Sequence, residues 1–225
     1  MMKNPLTTAL KTLTDAAKDN SDVVTEYVSM AADAAFDTEI FEKVPFLGII
    51  VKGMAFVDAA MKYKLARNVA AFLNVARSGD PEAMQRAFQK VYGDPRNRED
   101  VADTVMQVLT DAQKPLKAEM VGRMFVAVGM DQLRVEDFNI MSLIILQASV
   151  PALIALHEFG KIAAPNGTYA FRFPHQELLV GLGVAISTRG GTSLTTLGHK
   201  MAVFGFGLPV PEQFTPGLDE LIARP

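Results

Sequence analysis

The sequence predicts a mainly α-helical fold with a small α+β tail: a multi-helix N-terminal body followed by a C-terminal unit containing a small β-hairpin. Three observations predict it. Apolar residues recur every three or four positions in successive runs from Leu6 to Phe159, the period of helices with one buried face. Proline follows Asn or Asp at Asn4-Pro5, Asp80-Pro81 and Asp94-Pro95. At such a junction the polar side chain caps orphan N–H groups, and proline's fixed φ suits the first helical position. After Pro165-Asn166-Gly167 the pattern alternates, and Arg189-Gly190-Gly191 reads as a hairpin turn.

Taken in order, Asn4-Pro5 opens a first helix with Leu6, Leu10, Leu13 and Ala17 on one face, broken at Asn20-Ser21-Asp22. A second, Ala-rich helix is expected from about Asp22 to Phe36, with Val24, Tyr27, Val28 and Ala31 on one side. Val44 to Met61 is almost continuously apolar, and its helix is expected to continue through Tyr63, Leu65, Val69, Phe72 and Leu73 to a stop at Ser78-Gly79. Asp80-Pro81-Glu82 restarts a helix that runs to about Tyr92. Asp94-Pro95 starts the next, carrying Val101, Val105 and Leu109. Pro115 begins a helix with Leu116, Met120, Met124 and Val128 on one face, ended by Gly129. Phe138, Met141 and Ile145 mark another. Ser149 caps one more, with Pro151 close behind and an end near Gly160.

Beyond the Pro165–Gly167 turn, Tyr169, Phe171 and Phe173 alternate as in a short strand. His175 to Gly183 reads as a short helix, Val184 to Thr188 as a strand, and Thr192 to Leu194 as its partner across the glycine turn. Thr195 caps a last helix through Leu197, Met201 and Phe204. The final twenty or so residues are rich in Gly and Pro and are expected to drape over the surface, with a short helical patch at Leu218 to Ile222. This organises the chain as a helical body over residues 1–130, a second unit over 131–206 and a tail over 207–225.

Composition narrows the function classes. The 225 residues are enough to bury a substantial core. With 49% apolar and 21% charged residues, the composition is that of a globular protein. A net charge of −3 gives no bulk support for nucleic-acid binding. The absence of cysteine removes disulfides, thiolate metal sites and cysteine nucleophiles together, and fits a cytoplasmic protein. Met1 to Asn20 lacks the apolar core of a signal peptide, so export by that route is not expected.

The 44–61 run is shorter than a bilayer span, carries Lys52 and Asp58, and contains Pro45, Gly48 and Gly53. A buried core helix is the preferred reading. The alternative is a peripheral contact with the inner membrane through Phe46, Leu47, Ile49, Ile50, Met54 and Phe56, next to a basic stretch of Lys52, Lys62, Lys64, Arg67 and Arg77.

The order helix, strand, helix, strand, turn, strand resembles a winged-helix domain. The phrase Ser193-Leu194-Thr195-Thr196-Leu197-Gly198-His199-Lys200 is similar to the one that follows the wing in such proteins, where both leucines pack inward and the threonine caps the helix. The resemblance covers roughly residues 136–206. It implies a winged-helix-like fold for the second unit and says little of function. Pro45-Phe46-Leu47-Gly48, with Tyr63-Lys64-Leu65 and Phe72-Leu73 further on, resembles a loose group of small bacterial and phage conflict-associated helical proteins. That likeness implies a role in phage–bacterium conflict and transfers no site residue.

No catalytic or metal-binding motif is complete in the sequence. The histidines, His157, His175 and His199, lie outside metal-ligand spacing: Gly160 and Lys161 stand where His157-Glu158 would need a second histidine. No nucleophile elbow or phosphate loop is present, since Gly181-x-Gly183 lacks the rest of any such motif. The acid pairs Glu99-Asp100 and Glu136-Asp137 read as solvated helix starts, where the dipole favours them. The expected recognition helix, His175 to Gly183, has no Lys or Arg. The candidate nucleic-acid contacts are therefore Gln176, Arg189 and Lys200, a sparse set. By elimination the chain reads as a non-enzymatic binding protein with no cofactor and no metal, acting through a protein partner or its own oligomer. The alternatives are a membrane-acting effector using residues 44–61 and a DNA-binding regulator.

Overall fold

The computed structural model describes residues 59–77, 81–93, 95–162, 168–169, 173–189 and 191–210. Among them the chain is mainly helical, with a small antiparallel sheet near the C-terminus. The six long helices are α1 (Ala59–Arg77), α2 (Pro81–Gly93), α3 (Pro95–Asp111), α4 (Pro115–Gly129), α5 (Val135–Gln147) and α6 (Val150–Ile162). Then come β1 (Thr168–Tyr169), the short helix α7 (Gln176–Gly181), β2 (Ala185–Thr188), β3 (Gly191–Leu194) and α8 (Thr196–Lys200), which runs into a π-helical turn, Met201–Gly205. The expected helices before α1, the apolar run up to Val57 and the tail beyond Val210 lie outside the described residues.

Within the described residues, prolines mark three helix starts, while Asn4-Pro5 lies outside them. Pro81, Pro95 and Pro115 each occupy the first position of a helix, where no N–H is missed. At α6 the Ser149 hydroxyl accepts from the Ala152 N–H at 3.3 Å, the N-cap bond that orphan donors require.

One apolar core extends from Leu65 on α1 to Phe204 in the π turn, with α4 running through it. Every residue of α4 from Met124 to Gly129 is buried. The Phe125 ring meets Phe72 of α1 at 5.9 Å, Phe88 of α2 at 5.0 Å and Phe138 of α5 at 5.7 Å. Three helices are thus pinned to one ring, the tilted and edge-on pairs being the geometry the ring quadrupole favours.

Gly129 does not end α4 by its conformation. A Cβ there would lie 1.7 Å from the Ala83 carbonyl oxygen, so the missing side chain is what lets α2 and α4 approach. The closing bonds come from the residues that follow. Asp131 adopts a left-handed φ of 60°, its N–H bonds to the Val128 carbonyl, and the Gln132 N–H bonds back to Ala127. That is the Schellman closure of a helix. The same closure ends α7, where Gly183 has a φ of 71° and Gly183 and Val184 bond back to Val180 and Leu179.

Helix C-termini are also held by cations and amides from neighbouring elements. Asn68 and Arg67 of α1 donate to Leu109, Ala112 and Gln113 at the end of α3. Arg86 and Lys90 of α2 donate to Gly129 and Val128 at the end of α4, and Lys90 also pairs with Asp131. Lys117 of α4 donates to Leu146 near the end of α5 at 2.8 Å. Arg123 donates to Gly205 at the end of the π turn at 3.2 Å. Each places a donor, in most cases positive, where the macrodipole is negative and carbonyls lack partners.

In the sheet, β3 lies between β1 and β2, antiparallel to both. Thr168 faces Ser193, and Ala185 to Thr188 face Leu194 to Gly191. β3 buries alternate residues, Thr192 and Leu194, as a one-sided strand must. Phe173, expected to lie in the first strand, lies outside it: it is buried and stacks on Phe159 of α6 at 4.9 Å. The last helix is also not uniform. It widens to a π turn at Met201, where all five residues are buried. With no exposed face, these residues carry no helical period by which the sequence could distinguish the two.

Candidate functional site

Two arrangements stand out among the described residues: a buried ionic cluster joining α5 to α8, and an open apolar groove beside α6. The cluster comes first because it contains a residue expected at the surface. Lys200 is 1% exposed, and its Nζ lies 2.9 Å from Asp137 Oδ2. Asp137 is itself buried and takes a two-pronged bond from Arg134, 2.9 Å from Nε and 3.2 Å from the terminal nitrogen. Burial pushes the Asp137 carboxyl upward, but the hydrogen bonds and charges of Arg134 and Lys200 outweigh it and hold the pKa below the ordinary carboxylate value.

This corrects two expectations. Asp137 is not a solvated helix-start acid, although Glu136 beside it is exposed. Lys200 cannot reach a phosphate, because α8 turns its side chain into the core. The periodicity of Leu197, Met201 and Phe204 already defined that inward face, and Lys200 lies within it. His199, next to it, is 3% exposed. Burial lowers its pKa to about 4, so it is neutral at pH 7.

The other candidate nucleic-acid residues are not brought together as an exposed cationic surface. Gln176 is part-buried, and its carboxamide oxygen accepts from Thr192 Oγ1 at 2.8 Å and from the Phe173 N–H at 3.3 Å. It ties α7 to β3 and sets the position of Phe173. Arg189 is exposed, at the turn after β2. Of the basic stretch, Arg67 turns inward to cap α3. The candidate lipid contacts Phe46, Leu47, Ile49, Ile50, Met54 and Phe56 lie outside the described residues. Among those described, no helix is long and apolar enough to cross a membrane, and no cluster of His, Asp or Glu has the makings of a metal site.

The groove was not anticipated from the sequence. It holds about 390 Å³ and is lined by Pro151, Ile154 and Ala155 of α6, Glu158 one turn on, and Phe173-Pro174-His175. Its floor is fixed: Phe173 is 9% exposed and rests on the fully buried Phe159. Its wall is open: Ile154 is 52% exposed. His175 stands at the rim in a left-handed backbone, φ 62°. Both prolines have fixed φ, so little backbone freedom remains to be lost on binding. At the polar end, Glu158 Oε1 takes Lys161 at 2.9 Å and His157 at 3.2 Å. The hydrogen bond from Lys161 holds the carboxyl below its ordinary pKa. His157 in turn lies against the Phe206 ring at 4.8 Å.

The four helical lining positions, Pro151, Ile154, Ala155 and Glu158, are spaced as one face of a helix, a signal available in the sequence. What was missing there is the partner wall, since Phe173 to His175 reach α6 only through the fold. Comparison with known proteins finds no matching family model, no matching curated protein and no matching solved structure.

Proposed function

We propose that this protein is a non-enzymatic binding protein that acts by protein–protein contact, and that the groove between α6 and Phe173–His175 receives an apolar segment of a partner polypeptide. The observation that carries the reading is the pairing of an exposed apolar wall, Ile154 and Pro151, with a floor already packed on Phe159. A preformed apolar concavity with few polar groups is the usual form of a binding site. The reading is further supported by where the cations go. Arg67, Arg86, Lys90, Lys117, Arg123, Arg134, Lys161 and Lys200 each bond to a carbonyl or carboxylate of the chain itself. A phosphate-binding face needs such groups turned outward, which disfavours the DNA-binding alternative.

The resemblance to winged-helix domains is supported by the β1-β3-β2 strand order and by Thr195, which caps α8 by accepting from Gly198 N–H at 3.1 Å. As a docking module, such a unit has no need of a basic recognition helix. A role in phage–bacterium conflict rests on the resemblance at Pro45–Gly48. The membrane-effector alternative rests on the composition of residues 44–61. It requires the full-length protein to float with anionic liposomes and a Phe46→Glu, Ile50→Glu variant to remain at the bottom.

The docking reading is tested by methyl NMR of the full-length protein titrated with N-acetyl-leucine methylamide. The expected result is saturable shifts of the Ile154 and Ala155 methyl signals, with the exposed Ile140 and Ile186 unmoved. Equal shifts at all exposed isoleucines, or none at Ile154, would show that the groove does not select apolar groups.

A further inference from the structure

We infer that the segment received by the groove carries a lysine or arginine beside its apolar residues, and that Glu158 is the group that selects it. The inference rests on the docking reading above and adds the partner's chemistry. The groove is apolar along Pro151, Ile154, Ala155, Phe173 and Pro174 and has one formal charge in its lining, the Glu158 carboxylate. That carboxylate is used asymmetrically. Lys161 and His157 both approach Oε1. Among the described residues Oε2 has no partner, and the side chain is half exposed, at 50%. An ionised carboxylate accepts several hydrogen bonds, so one oxygen held by the chain's own cation leaves the other to receive a donor from outside.

The side-chain bond to Lys161 also holds Glu158 in place, lowering the entropy lost when a second cation arrives. Across the rim, Glu177 is exposed on α7, 3.9 Å from His175. An incoming acidic residue would meet the open oxygen of the Glu158 carboxylate, and like-charge juxtaposition is a strong means of rejecting partners. The fitting occupant is therefore an extended stretch of polypeptide that places two or three apolar side chains along α6 and a cation at the Glu158 end. A volume of about 390 Å³ in an open groove takes side chains of a surface-bound segment. It lies near the lower end of the roughly 300–1,000 Å³ of pockets that enclose a small molecule.

The test is selection from a random twelve-residue displayed peptide library on the immobilised full-length protein, followed by fluorescence anisotropy with the enriched peptides. The expected peptides pair a basic residue with at least two large apolar residues. Glu158→Gln should weaken them roughly tenfold, in line with a charge-assisted bond. Selection on Glu158→Lys should enrich acidic peptides instead. Glu158 and Ile154 are exposed enough that these variants keep the wild-type circular dichroism and melting temperature, which is checked first. Peptides that lose binding in Ile154→Asp but show no basic bias, or bind Glu158→Gln as well as wild type, overturn this inference and leave the docking reading standing. If no Ile154-dependent peptide emerges, or the groove is filled by a second copy as judged by Ile154-dependent dimerisation in sedimentation, both are overturned.

Discussion

At the scale of single residues, charge in the core decides most of what is specific to this chain. Lys200 and Asp137 are 63 positions apart in sequence and 2.9 Å apart in space. Removing one partner strands the other charge in a buried site, which costs about 3–5 kcal/mol, whereas replacing both with apolar groups is close to neutral. Asp137→Asn should therefore destabilise the protein by that amount in urea denaturation. Asp137→Leu combined with Lys200→Met should recover most of the loss, because the more exposed Arg134 can turn to water. Additive single and double effects in the cycle would show that the pair is not coupled.

His199 adds a dependence on pH. Its folded pKa of about 4 lies below the ordinary value of 6.5. As pH falls from 6.5 toward 4, the unfolded chain takes up a proton that the folded chain does not, and stability drops. The loss reaches about 2–3 kcal/mol at pH 4.5. Asp137, also depressed, contributes only below its ordinary value of 3.8. Between pH 7 and 4.5 the slope should belong to His199, so a His199→Gln variant, though less stable at pH 7, should show a flatter profile. An unchanged slope in that variant would place the acid sensitivity elsewhere. None of these residues announced its role in the sequence. Asp137 lies where a helix dipole alone accounts for an acid, Lys200 is a polar letter on a face that Leu197 and Met201 had already defined as apolar, and His199 falls on the opposite side of that helix.

At the scale of elements the sequence was far more legible. Pro81, Pro95, Pro115, Ser149 and Thr195 mark five helix starts, because capping is local chemistry and needs no knowledge of the fold. Ends were harder. Gly129 reads as a terminator and is the last residue of α4, but the closing bonds come from Asp131 and Gln132, and its missing side chain serves the approach of α2. The two roles are separable. Gly129→Ala should destabilise the protein by about 3 kcal/mol by forcing α2 and α4 apart, although alanine is the better helix former. If Gly129→Ala were neutral or stabilising in urea denaturation, the close approach at Ala83 would be wrong. The C-terminal cations tell the same story of reach. Arg67, Arg86, Lys90 and Lys117 cap helices other than their own, so their use depends on packing that no local pattern encodes. Arg67, for one, reads locally as part of a basic stretch with Lys62 and Lys64.

At the scale of the whole molecule, α4 organises the described core: Phe125 gathers α1, α2 and α5, and Arg123 reaches the π turn. The fold class was visible because binary patterning and turn chemistry agree along the chain. The groove was not, because its two walls, Pro151–Glu158 and Phe173–His175, come together through tertiary contacts such as the Phe159–Phe173 stack and the bond from the Phe173 N–H to Gln176. The central claim is that this concavity is where a partner polypeptide binds. The most direct measurement is hydrogen exchange of the full-length protein with and without a peptide selected on it. Slowed exchange confined to residues 150–160 and 173–178 is the predicted result. Protection centred instead on α5 around Ile140 and Leu143, or on the β2–β3 hairpin, would contradict the account.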